Sequence, residues 1–510
     1  MSTISALCWV PRGCARPVLE SYEPSEEELA RLQQQALAMA AESGESLKAA
    51  VSQASSVAKS MQQKEVDEDD VLAKYGFDTY DDEADGLMGV LGGAVHDEGD
   101  DADSESDEED AALAPGDALV LTACHEDDVS TIEISVYDTE AQALYVRHDI
   151  LVGSLPLSLS WGQAVDASGT CNIVAAGYMD PLIEIWNIDV RDEMTPLLTL
   201  GGLDPNAKLS KKGKKKGGIS AAHFLPGAHT DAVLCVDLHQ THKTLLASAS
   251  ADTTIKIWDL STASCMSTFS HHTDKACASL WHPFEHNLLL SASFDGVAAV
   301  VVCRTPNGSA ISFSKSTSPI GSGSWCYTTP TVFACASEDG RVSCYDVRAG
   351  ASSEPFLAFE AHGKDVPALS FSPGVPGMLA TASLDKHVRV WDMSTTVDGR
   401  PACAAEKALK VRGVLFAWRM HVAALSLIFL ALTDKQIFTV FVSFLFLQVG
   451  KLYCLGFLKD LPFTLAAAGA KGSIAVWDTT EDANVWATFA SRVSPDVAEP
   501  VQSKQALAGM

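Results

Sequence analysis

Three histidines precede three aspartates by one interval. The step from His229 to Asp252 recurs unchanged from His272 to Asp295 and from His362 to Asp385. Hydroxyl side chains lie close by, at Ser248 and Ser250 in the first case and at Thr381 and Ser383 in the third. Ser, His and Asp held together are the constellation of acyl-transfer hydrolysis, in which a carboxylate orients the base that activates a hydroxyl. An active site is unique within a chain, whereas a set that recurs at a fixed interval belongs to a repeating scaffold. A buried turn has to satisfy its polar groups, at a cost of about 1–3 kcal/mol for each one left without a partner. No other catalytic pattern accompanies the histidines. There is no phosphate-cradling Gly-rich loop, no GxSxG and no His pair at metal spacing. We therefore expect no enzymatic activity, no cofactor and no small-molecule substrate.

The elements that position these residues repeat as well. SADTTIKIWDL (250–260), SFDGVAAVVVC (293–303), SEDGRVSCYDV (337–347) and SLDKHVRVWDM (383–393) each carry an Asp, a turn and an alternating strand. The strand places an aromatic or apolar residue at one fixed position after the Asp, as in Trp258 after Asp252 and Trp391 after Asp385. Asp339 opens the third of these copies. MDPLIEIWNI (179–188) fits the frame with Asp180 and Trp186, and GAKGSIAVWDT (469–479) ends in Trp477-Asp478 with Lys471 in place of the Asp. TIEISVYDT (131–139) is a degenerate first copy. Seven copies predict an all-β, seven-bladed propeller over about residues 117–490, each blade a four-stranded sheet. The upstream His, turn Asp and closing Trp-Asp resemble the WD-repeat family. That resemblance implies a hydrogen-bonded set in each complete blade: His229, Asp252, Trp258 and Ser248 or Ser250, and His362, Asp385, Trp391 and Thr381 or Ser383.

Composition divides the rest of the chain. The 510 residues carry a net charge of −30, and most of it is concentrated between Glu65 and Asp110, where Lys74 is the one basic residue. Residues 62–116 are too charged to bury a core and are expected to be disordered. Within them LAKYGFDTYDDE sets Tyr75, Phe77 and Tyr80 among carboxylates, a docking motif in an apolar-poor segment. Residues 24–61 predict a helix, with Ser25 and Glu28 at capping-box spacing. Residues 1–23 form an N-terminal segment and 491–510 a C-terminal tail. Thirteen Cys without CxxC pairs, and an N-terminus without a signal-peptide core, indicate a reducing cytosolic or nuclear compartment.

Two stretches break the repeat. The span from Trp186 to Trp258 is much longer than that from Trp258 to Val301. The excess holds KLSKKGKKKGG, in which Lys208, Lys211, Lys212, Lys214, Lys215 and Lys216 make a basic loop for phosphates or nuclear import. The span from Trp391 to Trp477 is nearly twice that from Tyr345 to Trp391, and leaving out 411–448 restores the common period. That apolar insert reads in three ways. As a membrane hairpin it is too short in each half and split by Asp434-Lys435. It also reads as a genuine apolar insertion. Thirdly, Lys410-Val411-Arg412 and the run to Gln448 can be written as splice sites, so the insert reads as a translated intron or a gene-model error.

Taken in order, ISALCWVPRGCA, LAKYGFDTYDDE, YVRHDILVGSLPLSLSW (145–161), the Lys loop, GAHTDAVLCVD and HTDKACASLWHPFEHNLLLSASFDG resemble the periodic tryptophan protein 1 family of WD-repeat proteins. This resemblance implies a nuclear and nucleolar, non-enzymatic factor in large-subunit ribosome assembly and rRNA maturation. Its implied partners are assembly proteins, pre-rRNA and chromatin, with no membrane. A second reading comes from Tyr345-Asp346-Val347-Arg348, which looks like the box by which some propellers dock cullin-type ubiquitin ligases as substrate adaptors.

Overall fold

The computed structural model describes residues 2–21, 113–166, 169–203, 224–304, 310–313, 316–351, 353–397, 400–408, 410–412 and 446–493. The segment 24–61, nearly all of 62–116, the aromatic motif Tyr75, Phe77 and Tyr80, the basic loop and the interior of 411–448 lie outside these residues.

The alternating runs become strands because apolar side chains recur at every second position. The second strand of each blade is an exception, buried on both faces. Leu245–Ser250 and Leu288–Ser293 read LLASAS and LLLSAS, and small Ala and Ser residues let neighbouring sheets press on either side. Six four-stranded sheets and one three-stranded sheet make seven blades. Blades two to six each take their strands from one continuous stretch of chain, and we letter those strands a to d outward. Strands a are Pro156–Asp166, Val233–Leu238, Ala276–Trp281, Ile320–Trp325 and Ala368–Phe371. Blade seven consists of Leu452–Phe457, Thr464–Gly469 and Ile474–Asp478. The core lies between blades. Ala247, Ala249, Ile255 and Ile257 of blade three, for example, pack with Ala276, Trp281, Leu289 and Val301 of blade four.

Blade one corrects the sequence-based boundary at residue 117. Its strand a is Thr3–Val10, paired antiparallel with Ala118–Glu126 across the whole acidic segment. Ile4, Ala6, Trp9 and Val10 are buried. The expectation missed this strand because its partner is remote in sequence, and no local alternation reveals a pairing made across so long a stretch.

Hydrogen bonds join every blade to the next. Ser5 Oγ donates to Pro156 O at 2.5 Å, and Ser158 and Ser160 accept from Val236 N and Leu238 N at 3.1 and 2.9 Å. The indoles of Trp281 and Trp325 donate back to Asp237 O and Leu280 O, each at 3.1 Å. Ser322 Oγ reaches Val366 O at 3.3 Å and Ser372 Oγ reaches Pro462 O at 2.8 Å. Trp9 Nε1 closes the ring on Gly456 O of blade seven at 2.9 Å. After blade seven, helix Ala483–Phe489 buries Val485 and Phe489, and Arg492 grips buried Asp392 at 2.7 and 2.8 Å.

The two ends of the apolar insert meet. Lys410–Arg412 pairs antiparallel with Phe446–Gln448, with Lys410 opposite Gln448. Among the described residues no helix is long and apolar enough to cross a membrane.

Two outcomes are expected. Removing residues 411–448 joins backbones that are already neighbours, so the deleted chain should give more soluble monomer and a sharper unfolding transition by size exclusion and calorimetry. A deletion that no longer folds would make the insert a structural element. Trp9→Phe keeps the ring but loses the closing donor, and should lower stability by about 1 kcal/mol, whereas removing residues 1–10 should abolish the cooperative transition altogether.

Candidate functional site

The repeated polar set is assembled from three elements. In blade three His229 comes from the connection leading into strand a, Ser248 from strand b, Asp252 from the b–c turn and Trp258 from strand c. His229 Nδ1 lies 3.0 Å from Asp252 Oδ2 and its Nε2 2.7 Å from Ser248 Oγ, while Trp258 Nε1 donates to the same Oγ at 2.8 Å. A carboxylate can only accept, so Nδ1 carries the proton and Nε2 accepts from Ser248. The bonds therefore run in one sense, Trp to Ser to His to Asp. Burial pushes the His229 pKa down, and Asp252 helps to offset that. Burial alone would raise Asp252, but bonds from His229, Thr254 and the Thr230 amide hold it well below the usual carboxylate range. Of the two serines considered, Ser248 is the one His229 engages, and Ser250 Oγ turns to Asp231 O.

This is the connectivity of a hydrolytic triad with the nucleophile walled in. Ser248 is 0% exposed and its Oγ already accepts the indole proton, so no substrate carbonyl can reach it. Blade six repeats the set. His362 reaches Asp385 and Thr381 at 2.8 Å each, and Trp391 Nε1 donates to Thr381 Oγ1 at 3.0 Å.

The remaining blades depart from it, each with its own compensation. In blade four His272 lies 3.3 Å from Asp295 and 3.1 Å from Ser291, but Val301 has no indole to offer. His271 Nε2 takes that place 2.9 Å from Ser291 Oγ. In blade two exposed Asp180 is not joined to a histidine among the described residues, and Trp186 Nε1 donates to Tyr178 OH at 3.2 Å. In blade five Asp339 accepts from Ser337 Oγ at 2.5 Å, and Tyr345 stacks on Phe333 with centroids 5.3 Å apart. In blade seven the buried Trp477 Nε1 has no hydrogen-bond partner among the described residues. The slot that Ser248 fills for Trp258, and Thr381 for Trp391, holds Ala467 for Trp477. The Lys407 ammonium lies 4.7 Å from the Trp477 ring centre instead.

A second tryptophan series escapes the strand-c pattern altogether and stands on strand a: Trp9, Trp161, Trp281 and Trp325. Its signal was present as CW, SW, LW and SW after short runs of small or alternating residues (ISALCW, LSLSW, ASLW, GSGSW). The ligase-like box begins with Tyr345 buried at the end of strand c, and only its Arg348 end is exposed. Asp346 caps that end and holds the guanidinium of Arg348 at 2.7 to 3.2 Å, so the arginine is engaged within its own loop. His239, His242 and His286 lie together, but His239 Nδ1 accepts from the amides of Thr241 and His242 and its Nε2 faces His286 O, a turn-stabilising role. His282 does the same in the next blade, with Phe284, Glu285 and Pro330.

The basic loop departs after Leu203 and returns at Phe224, which pair as an isolated bridge, in the connection between blades two and three. Asp385→Ala should destabilise the protein by about 1–3 kcal/mol in chemical unfolding, because the His362 imidazole and the His387 amide lose their acceptor. Ala467→Ser should act in the opposite sense, by about 1 kcal/mol, by giving Trp477 the acceptor that blades three and six possess. Equal, negligible shifts for both would refute the polar set as a stabilising unit.

Comparison with known proteins places the chain. The family model described as WD domain, G-beta repeat matches residues 222–259, 263–300 and 353–392. An uncharacterized WD repeat-containing protein of Schizosaccharomyces pombe is 30% identical over 98% of this chain and 93% of its own length. Periodic tryptophan protein 1 of Saccharomyces cerevisiae is 28% identical over 81% of this chain and 83% of its own. The ribosome biogenesis protein YTM1 of Yarrowia lipolytica is 25% identical over 49% of this chain and 42% of its own. The propeller and the first two of these matches, which run over most of both chains, establish that the chain belongs to the periodic tryptophan protein 1 family of WD-repeat proteins.

Proposed function

We propose that the chain is a non-enzymatic scaffold of ribosome assembly, working in the nucleus and nucleolus on assembly proteins and pre-rRNA. The observation that carries this reading is the match that runs with periodic tryptophan protein 1 over most of both chains. The assembly role is the one that the family resemblance implies, and the partial match to a protein named for ribosome biogenesis agrees with it. The burial of Ser248, Ser291 and Thr381 leaves the Ser-His-Asp sets no catalytic use and argues for a binding platform. The basic loop between Leu203 and Phe224 is the rim element suited to phosphates, since Lys contacts neutralise backbone charge without reading bases.

Tagged protein should sediment with large-subunit precursors in a sucrose gradient. Replacing Lys211, Lys212, Lys214, Lys215 and Lys216 by Gln should leave the unfolding midpoint unchanged, reduce nucleolar accumulation and particle association, and weaken RNA binding similarly across sequences with a shallower salt dependence. Unchanged sedimentation and localisation in that variant would reduce the loop to a linker.

A further inference from the structure

Blades six and seven depart from the repeat at corresponding turns, and both departures bring in lysine. In the b–c turns the residue after the Asp position has a positive φ: 80° at Gly296, 86° at Gly340 and 61° at Gly472. Blade six places Lys386 there, at φ 76°, a conformation that strains a side-chain-bearing residue. Thr253 of blade three shares it at 71°, as does Asp128 in the b–c turn of blade one at 72°. In blade seven the turn Asp itself is replaced, by Lys471, and the polar set is lost with it.

These lysines share one seam. Lys386 N donates to Ser383 O at 3.1 Å, Leu452 N donates to the same carbonyl at 3.4 Å, and Ala470 N donates to Lys451 O at 2.9 Å. Ser383 Oγ turns to Lys364 O at 3.4 Å. Lys364, Lys386, Lys451 and Lys471 are all exposed. The ion pairs of these blades occupy other groups: Asp385 faces His362 and His387, Glu406 holds Arg389, and Glu481 holds Lys407. Asp365 borders the seam beside Lys364, and its carbonyl accepts from Leu384 N of the blade-six turn at 3.1 Å. The connection between blades six and seven carries Lys451, and the connection between blades two and three, which carries the basic loop, opens on the same face of the propeller, since both lead into a strand a.

We propose that the Lys364–Lys386–Lys451–Lys471 seam is a binding surface for the phosphate backbone of RNA. Four cations without acidic partners among the described residues, two of them placed against the repeat's own preference, give a strip of positive potential that contacts phosphates without reading bases. The proposal rests on the reading of the chain as an RNA-associated assembly factor and adds a second contact to the basic loop.

The test uses full-length protein and restores the repeat. Lys386→Gly relieves the strained turn and Lys471→Asp returns the turn carboxylate, so the double variant should melt no lower than wild type. Its affinity for a short fluorescein-labelled single-stranded RNA of mixed sequence should nevertheless fall about fivefold or more at low salt. The log–log salt dependence should become shallower by about one to two. Lys386→Arg with Lys471→Arg should keep both. Unchanged affinity and slope in the Gly/Asp variant, while the five-Gln loop variant weakens binding, would overturn the seam and leave the assembly reading standing. Wild-type protein that binds no RNA at any salt, yet sediments with precursors, would also overturn the seam and would assign the scaffold to protein partners. A fall in affinity matched by a fall in melting midpoint, or binding lost equally in the Arg variant, would overturn it as a structural effect.

Discussion

A ring of blades stands or falls on its closure. Each blade here buries its faces against two neighbours, so one unsealed boundary would expose two apolar sheet faces at once. The chain meets this with one hydrogen bond or more at each of the seven boundaries, made mostly by Ser hydroxyls and Trp indoles of the inner strands. The last boundary is sealed by the first strand. Thr3–Val10 enters blade one from the far end of the sequence, and Trp9 donates to Gly456 of blade seven. Everything between those residues is thereby a closed loop. Long surface excursions add little closure cost, because that cost grows only with the logarithm of length.

Within the blades, the Trp–Ser–His–Asp chain solves a local problem. The b–c turn and the connection into strand a bring a carboxylate, an imidazole and a hydroxyl into a dry interface, and each must find a partner. The departures show that the requirement concerns satisfied polar atoms and not particular residues. His271 replaces an absent indole, and Tyr178 replaces an absent serine. Blade seven leaves Trp477 Nε1 without a partner among the described residues and sets a cation against the ring instead.

The propeller was legible because strand-c aromatics and the His–Asp interval are local signals that survive in degenerate copies. Blades three and six could be written down to the residue, apart from the choices between Ser248 and Ser250 and between Thr381 and Ser383, which depend on side-chain direction. Blade one could not. Its strand a lies beyond a long acidic segment, and the run ISALCWV has no neighbour in sequence to pair with. The strand-a tryptophans Trp9, Trp281 and Trp325 were hidden for a related reason: their partners are carbonyls of the adjacent blade, and a backbone carbonyl leaves no mark in composition. The rim was legible only as charge. Lys471 was visible as a missing Asp, but its neighbours Lys364, Lys386 and Lys451 come together only once two connections and two turns are stacked in the ring.

The apolar insert ends at a repeat position of blade seven. The position that stands to Lys471 as His362 stands to Asp385 is Gln448, the last residue of the insert; with 411–448 removed it becomes Lys410. Lys410 and Gln448 already face one another across a short antiparallel ladder. Removing the insert therefore changes the identity of one slot and joins two backbone segments that already pair. The shorter chain would carry lysine at both the His and the Asp positions of blade seven. In either form the blade lacks the His–Asp pair of the polar set, and packing holds the repeat there: Trp477, Phe463, Val485 and Phe489 share one core with Met378 and Val390 of blade six. A blade fixed by apolar contacts with its neighbour and with the C-terminal helix no longer needs its turn for stability. That frees the turn to carry charge, and it is there that the two blades place their lysines.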